Sequence, residues 1–141
     1  LRVIGEREQF AADIQEMMVS CESKTAENTR LNLSVAVNFG GRWDIVNAAK
    51  TLAQQVANGT LLPEEVNENA FASAMSLTDI PEPDLMIRTG GDHRISNFLL
   101  WDLAYTELYF TDIFWPDFDA AALQEAVATY AQRKRRFGRR Q

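Results

Sequence analysis

Leu85-Met86-Ile87-Arg88-Thr89-Gly90-Gly91-Asp92-His93-Arg94-Ile95-Ser96-Asn97-Phe98 begins apolar and then changes character within a few positions. The run up to Ile87 predicts a buried strand over residues 84–88, and the residues after it gather two arginines, a histidine, an aspartate, a serine and paired glycines. That mixture is costly to bury and wasteful on an idle surface. Adjacent glycines let a backbone turn sharply and approach a ligand. Two guanidiniums and a hydroxyl supply the forked, charge-assisted donors an oxyanion needs. The stretch therefore predicts a phosphate or diphosphate site at the carboxyl end of a strand. The competing reading is an ordinary Gly-Gly turn with solvated charges.

A second stretch has the same grammar. Leu31 to Val37 alternates and then becomes nearly continuously apolar, as expected of a strand covered on both faces. It runs into Asn38-Phe39-Gly40-Gly41-Arg42-Trp43-Asp44 and a helix whose predicted inner stripe is Ile45, Ala49, Leu52, Ala53 and Val56. Strand, glycine turn, helix is where α/β proteins place ligands. The spacing matches neither a dinucleotide fingerprint nor a Walker loop, so nucleotide binding has little support. Asn38 and Arg42 are read mainly as holding the turn together.

The remaining elements frame these two. Leu1-Arg2-Val3-Ile4 predicts a strand with no lead-in and no initiator Met, which suggests a fragment. Phe10, Ile14, Met17, Met18 and Cys21 fall at helical spacing within residues 8–24, giving a helix with one buried stripe. Asn58-Gly59 reads as a left-handed cap, Pro63-Glu64-Glu65 as a short helical turn and Asn67 as the cap of a helix carrying Phe71, Ala74 and Met75 inward. Ile80-Pro81-Glu82-Pro83 is a stiff connector. A strand over residues 105–110 sets Glu107 among aromatics. A last helix with the stripe Leu123, Ala126, Val127 and Tyr130 ends in basic residues. Glu107 cannot be buried alone as a charge, so it is either an oxygen ligand to magnesium or the partner of Arg88 or Arg94. His93 is a weaker candidate for such a metal, which prefers oxygen.

With 141 residues, 46% of them hydrophobic, the chain is expected to form one soluble globular domain over residues 1–141. No apolar run approaches the roughly 20 residues of a membrane-spanning helix, and no stretch reads as a signal peptide. The lone cysteine, Cys21, excludes an internal disulfide, fits a reducing compartment and is read as buried filler. A net charge of −6 argues against generic nucleic-acid binding. Yet Arg133, Lys134, Arg135, Arg136, Arg139 and Arg140 crowd one end. They could be a solvated helix terminus, a polyanion contact or an arm reaching a neighbouring subunit's ligand.

Arg88 to Phe98, with Trp101 and then Glu107-Leu108-Tyr109-Phe110, resembles the C-terminal signature of the cis-prenyltransferases. Asn38 to Ile45 and Arg135-Arg136-Phe137-Gly138 are also similar to that family, so the likeness runs from Leu1 to Gly138. It implies an α/β fold with a mostly parallel central sheet flanked by helices, in a cytoplasmic homodimer that meets the membrane through its lipid product. It implies repeated condensation of isopentenyl diphosphate onto farnesyl diphosphate with magnesium, giving long cis-polyprenyl (undecaprenyl) diphosphate, the carrier precursor for cell-wall polysaccharide. Carried over by position, Arg88, Arg94, Ser96 and the backbone of Ile95 would hold the diphosphate of isopentenyl diphosphate. Glu107 would bind magnesium with His93 as a second contributor. Arg136 and Gly138 of the terminal Arg-x-Gly would reach the partner subunit's substrate. Asp92 stands where an acidic residue is expected.

The family's Asp-Gly-Asn-Gly-Arg phosphate loop, which carries the catalytic aspartate, and its tunnel helices have no counterpart in this sequence. These residues alone are therefore expected to be inactive. Three other classes compete: a non-catalytic partner subunit of a prenyltransferase, a magnesium-dependent phosphohydrolase, and a nucleic-acid-binding module resting on the basic tail.

Overall fold

The computed structural model describes residues 1–133, which form two compact units, Leu1–Ile80 and residues 81–133. In the first, β1 (Arg2–Ile4), α1 (Ala12–Thr25), β2 (Ser34–Ala36), α2 (Gly41–Ala57) and α3 (Glu68–Ser73) follow in order. In the second come β3 (Leu85–Arg88), β4 (Glu107–Phe110) and α4 (Ala120–Gln132). The expected parallel pairing is present, as one two-stranded sheet in each unit. β1 pairs with β2 in the register Val3 to Val35, and β3 pairs with β4 in the register Arg88 to Phe110.

In the first unit α1 packs on β1 and α3 on α2. Val3 and Ile4 of β1, Ala48 and Leu52 of α2, and Met75 and Leu77 beyond α3 are buried. The buried line on α2 also includes Asp44, only 2% exposed. Its carboxylate accepts from the Ser76 hydroxyl at 2.6 Å and from the Ser76 backbone N–H at 3.2 Å. These bonds answer the cost of burying a charge and tie the start of α2 to the chain after α3. The expected stripe is corrected accordingly. Asp44, Ala48 and Leu52 lie inward, whereas Ala49 and Ala53 are exposed.

Local punctuation was legible. Gly59 takes a φ of +70° just past α2 and donates to the Val56 carbonyl. The Asn67 side chain accepts from the N–H groups of Asn69 and Ala70 at the start of α3. Pro63–Glu65 forms the expected short turn, of 3-10 type.

Burial departs from expectation in several places. No residue of α1 is buried; Met17 is 60% exposed, and Cys21 is exposed instead of serving as core filler. β2 is not covered on both faces, since Val35 and Ala36 are exposed. On α4 the buried residues are Ala122 and Ala126, while Leu123 and Val127 are about half exposed. Apolar spacing identifies a face; it does not identify what covers that face.

Candidate diphosphate site at the end of β3

β3 delivers Arg88 to the carboxyl end of its parallel pair. The chain then crosses over residues 89–106 without a described helix before entering β4. Loop backbone takes the place of the usual crossover helix. It is pinned at its start: Thr111 donates to the Arg88 carbonyl at 3.0 Å, Gly90 to Ile113 at 2.9 Å and Gly91 to Thr111 at 3.0 Å. Gly90 and Gly91 have φ of +86° and +79°, a region side-chain-bearing residues rarely occupy. A Cβ at Gly91 would also lie 3.2 Å from an Asp112 carboxylate oxygen. Further on, Ser96 and Asn97 take left-handed φ of +46° and +58°, folding the chain back toward Arg88. Two such residues in succession carry local strain of the kind that gathers at ligand sites.

The result is a compact cluster of charge. Arg88 Nη1 donates to Ser96 Oγ at 2.8 Å and also to the Arg94 carbonyl. Arg94 Nε donates to the same Oγ at 3.1 Å. Asp92 Oδ2 accepts from Arg88 Nη2 at 2.7 Å and from Arg94 Nη2 at 2.6 Å. One hydroxyl oxygen and one carboxylate oxygen thus each bridge both guanidiniums. The side chains are 24%, 40% and 66% exposed for Arg88, Asp92 and Arg94, so the cluster is anchored at β3 and opens toward solvent through Arg94. Because Ser96 Oγ accepts from both arginines, its own proton is free to donate toward an anion. Ile95, between them in the chain, is half-buried.

His93 lies exposed with its ring stacked on Phe110, centroids 5.1 Å apart. Phe110 sits in register with Arg88, so both occupy one face of the pair; Glu107, three residues earlier on β4, belongs to the other. The structure therefore does not bring His93 and Glu107 together. Nor does Glu107 pair with Arg88 or Arg94, as the salt-bridge reading expected. Its partner is Arg133, at the end of α4, whose Nη1 donates to Glu107 Oε2 at 2.7 Å and to the Leu108 carbonyl at 3.1 Å. Arg136 and Gly138 lie outside the described residues.

Among the described residues no group of three His, Cys, Asp or Glu side chains could hold a metal ion. A single hard carboxylate oxygen, as at Glu107, still fits magnesium, which commonly uses one or two carboxylates together with substrate phosphates and water. The same residues contain no helix long and apolar enough to cross a membrane.

Two features of the site were not visible in the sequence. Asp92 bridges two arginines, and the signal available was its position four residues after Arg88 and two before Arg94. Arg133 reaches Glu107 across the unit, which no local pattern discloses.

Known proteins resemble this chain in sequence and in fold. Residues 1–138 match the family described as "Putative undecaprenyl diphosphate synthase". The chain is 56% identical over 138 residues to the ditrans,polycis-undecaprenyl-diphosphate synthase ((2E,6E)-farnesyl-diphosphate specific) of Xanthomonas axonopodis pv. citri, covering 98% of this chain and 54% of that protein. It is 52% identical to the synthase of the same name from Pseudomonas aeruginosa, covering 99% and 55%. Among solved structures, lavandulyl diphosphate synthase from Lavandula x intermedia, in complex with dimethylallyl diphosphate, superposes with a TM-score of 0.95 at 37% identity, covering 98% of this chain and 59% of that one. A probable undecaprenyl diphosphate synthase from Campylobacter jejuni gives 0.84 at 30% identity, covering 98% and 62%. The chain belongs to the undecaprenyl diphosphate synthase family of cis-prenyltransferases. It spans about half the length of the curated relatives it matches.

Proposed function

We propose that the protein containing this chain condenses isopentenyl diphosphate repeatedly onto farnesyl diphosphate, forming long-chain cis-polyprenyl diphosphate of the undecaprenyl class, within one catalytic domain. This stretch supplies the clamp for isopentenyl diphosphate. The observation carrying that reading is the convergence of Arg88, Arg94 and Ser96 on one solvent-open cluster at the end of a parallel strand. Guanidinium forks and a hydroxyl proton match the oxygens of a diphosphate. The names of the relatives, and the dimethylallyl diphosphate held by the lavandulyl enzyme, support the choice of isoprenoid diphosphates.

The reaction joins C1 of the allylic chain to the terminal alkene carbon of the isopentenyl unit. The allylic carbon–oxygen bond breaks, diphosphate leaves and the isopentenyl unit loses a proton. Arg88, Arg94 and Ser96 fix the isopentenyl diphosphate so that its double bond faces the electrophilic carbon, a gain in positioning rather than in acid–base chemistry. Glu107 is the proposed magnesium ligand from this chain, through a carboxylate whose Oε2 already accepts from Arg133. His93, stacked on Phe110 on the other face of the pair, would contribute only after moving toward Glu107. Bound magnesium would offset charge on the diphosphate oxygens. The ionising half of the site, with the family's phosphate-loop aspartate, is assigned to sequence matching the half of the relatives that this chain does not span, so this portion alone is proposed to be inactive. Arg136 and Gly138 are proposed to reach a partner subunit's substrate in a homodimer, at the cytoplasmic side of the membrane where the lipid is used.

The test is to incubate the full-length parent protein with farnesyl diphosphate, labelled isopentenyl diphosphate and magnesium, and to size the extracted lipid. A ladder ending in a long cis-polyprenyl diphosphate supports the proposal. Release of inorganic phosphate without carbon–carbon bond formation would mean a phosphohydrolase. Absence of both would favour a non-catalytic partner subunit.

A further inference from the structure

We propose that Asp92 is a positioning residue, an internal counter-ion that holds Arg88 and Arg94 side by side before substrate arrives; this rests on the reading that those arginines bind the diphosphate of isopentenyl diphosphate. Two guanidiniums brought together repel one another, and each long side chain gives up rotamer freedom on being fixed. Ser96 Oγ joins them but carries no charge. Asp92 does, and a single oxygen, Oδ2, takes Nη2 of both arginines at 2.7 and 2.6 Å.

The need is greatest at Arg94. Its side chain is 66% exposed, and its guanidinium is held by Ser96 and Asp92. Arg88 is better anchored, being 24% exposed at the end of β3 and bonded besides to the Arg94 carbonyl. Without Asp92 the second fork would sample many directions, and binding would have to order it. With Asp92 the ordering is completed during folding, which is what preorganisation means for affinity. The carboxylate also leaves the cluster with one net positive charge instead of two. It is itself 40% exposed, so it can yield its place to a diphosphate oxygen without unfolding the loop.

The experiment uses the full-length parent protein, with steady-state kinetics for each substrate and equilibrium dialysis of labelled isopentenyl diphosphate. Asp92→Ala is expected to weaken isopentenyl diphosphate, in KM and in Kd, by about tenfold, the low end of the loss for a hydrogen bond to a charged group, while the KM for farnesyl diphosphate and the Tm stay unchanged. Asp92→Asn keeps an oxygen acceptor without the charge and falls between Ala and wild type. Asp92→Glu, which keeps the carboxylate, restores most of the affinity. Unchanged or tighter binding in Asp92→Ala, or no rescue by Glu, overturns the proposal. Arg88→Ala separates the counter-ion role from the clamp beneath it. If it weakens isopentenyl diphosphate while Asp92→Ala does not, only the counter-ion role fails; if Arg88→Ala has no effect, the clamp reading fails.

Discussion

Arg133 occupies Glu107: its Nη1 lies 2.7 Å from Glu107 Oε2, closing the end of α4 onto β4. The carboxylate proposed for magnesium therefore already has a cation at one of its oxygens, and metal would bind against that positive charge. In the full-length protein Glu107→Ala should raise the magnesium concentration needed for half-maximal turnover by about tenfold, with partial rescue at high metal, as expected when one of a few oxygen ligands is lost. Arg133→Gln should act oppositely and lower that concentration. Magnesium titrations of both variants check the pair; an unchanged metal dependence in Glu107→Ala would contradict the assignment.

A second ion pair predicts a pH effect on stability. Glu22 accepts from Arg7 and from the Val3 backbone N–H at 2.7 Å, and the Arg7 guanidinium holds its carboxyl below the ordinary value of 4.5. A carboxyl lowered by folding stabilises the fold fully above its ordinary value and loses that contribution as pH falls through the folded one. The Tm should therefore drop below about pH 4.5 more steeply for wild type than for Glu22→Gln. Parallel acid melting curves would refute this.

Asp44→Ala should destabilise the first unit by about 1–3 kcal/mol, because the half-buried Ser76 hydroxyl and N–H lose their acceptor. Asp44→Asn, which keeps an acceptor oxygen, should recover part of that. Chemical denaturation with an unchanged m-value is the check.

The sequence carried the strands around the site, the Gly59 and Asn67 punctuation and the convergence at Arg88, because each depends on residues close in the chain. Arg88 and Ser96 are eight positions apart, and paired glycines announce the turn between them. Burial was harder to read. The stripes on α1 and α4 are apolar as expected, yet Met17, Leu123 and Val127 remain exposed, since periodicity is a property of one helix and cover is a property of its neighbours. Asp44 misled in the opposite sense, a carboxylate taking an inward position because Ser76 satisfies it. The Glu107 to Arg133 pair joins residues far apart in sequence, and residue types alone left Glu107 between a magnesium ligand and a partner of Arg88 or Arg94.

The most direct measurement is equilibrium binding of labelled isopentenyl diphosphate to the full-length protein and to its Arg88→Ala, Arg94→Ala and Ser96→Ala variants. If the three side chains share one diphosphate pocket, each arginine variant should lose about tenfold or more in affinity and Ser96→Ala less. The double arginine variant should lose less than the product of its singles, because the two act together. Affinities equal to wild type in both arginine variants, with the fold intact by melting, would contradict the account.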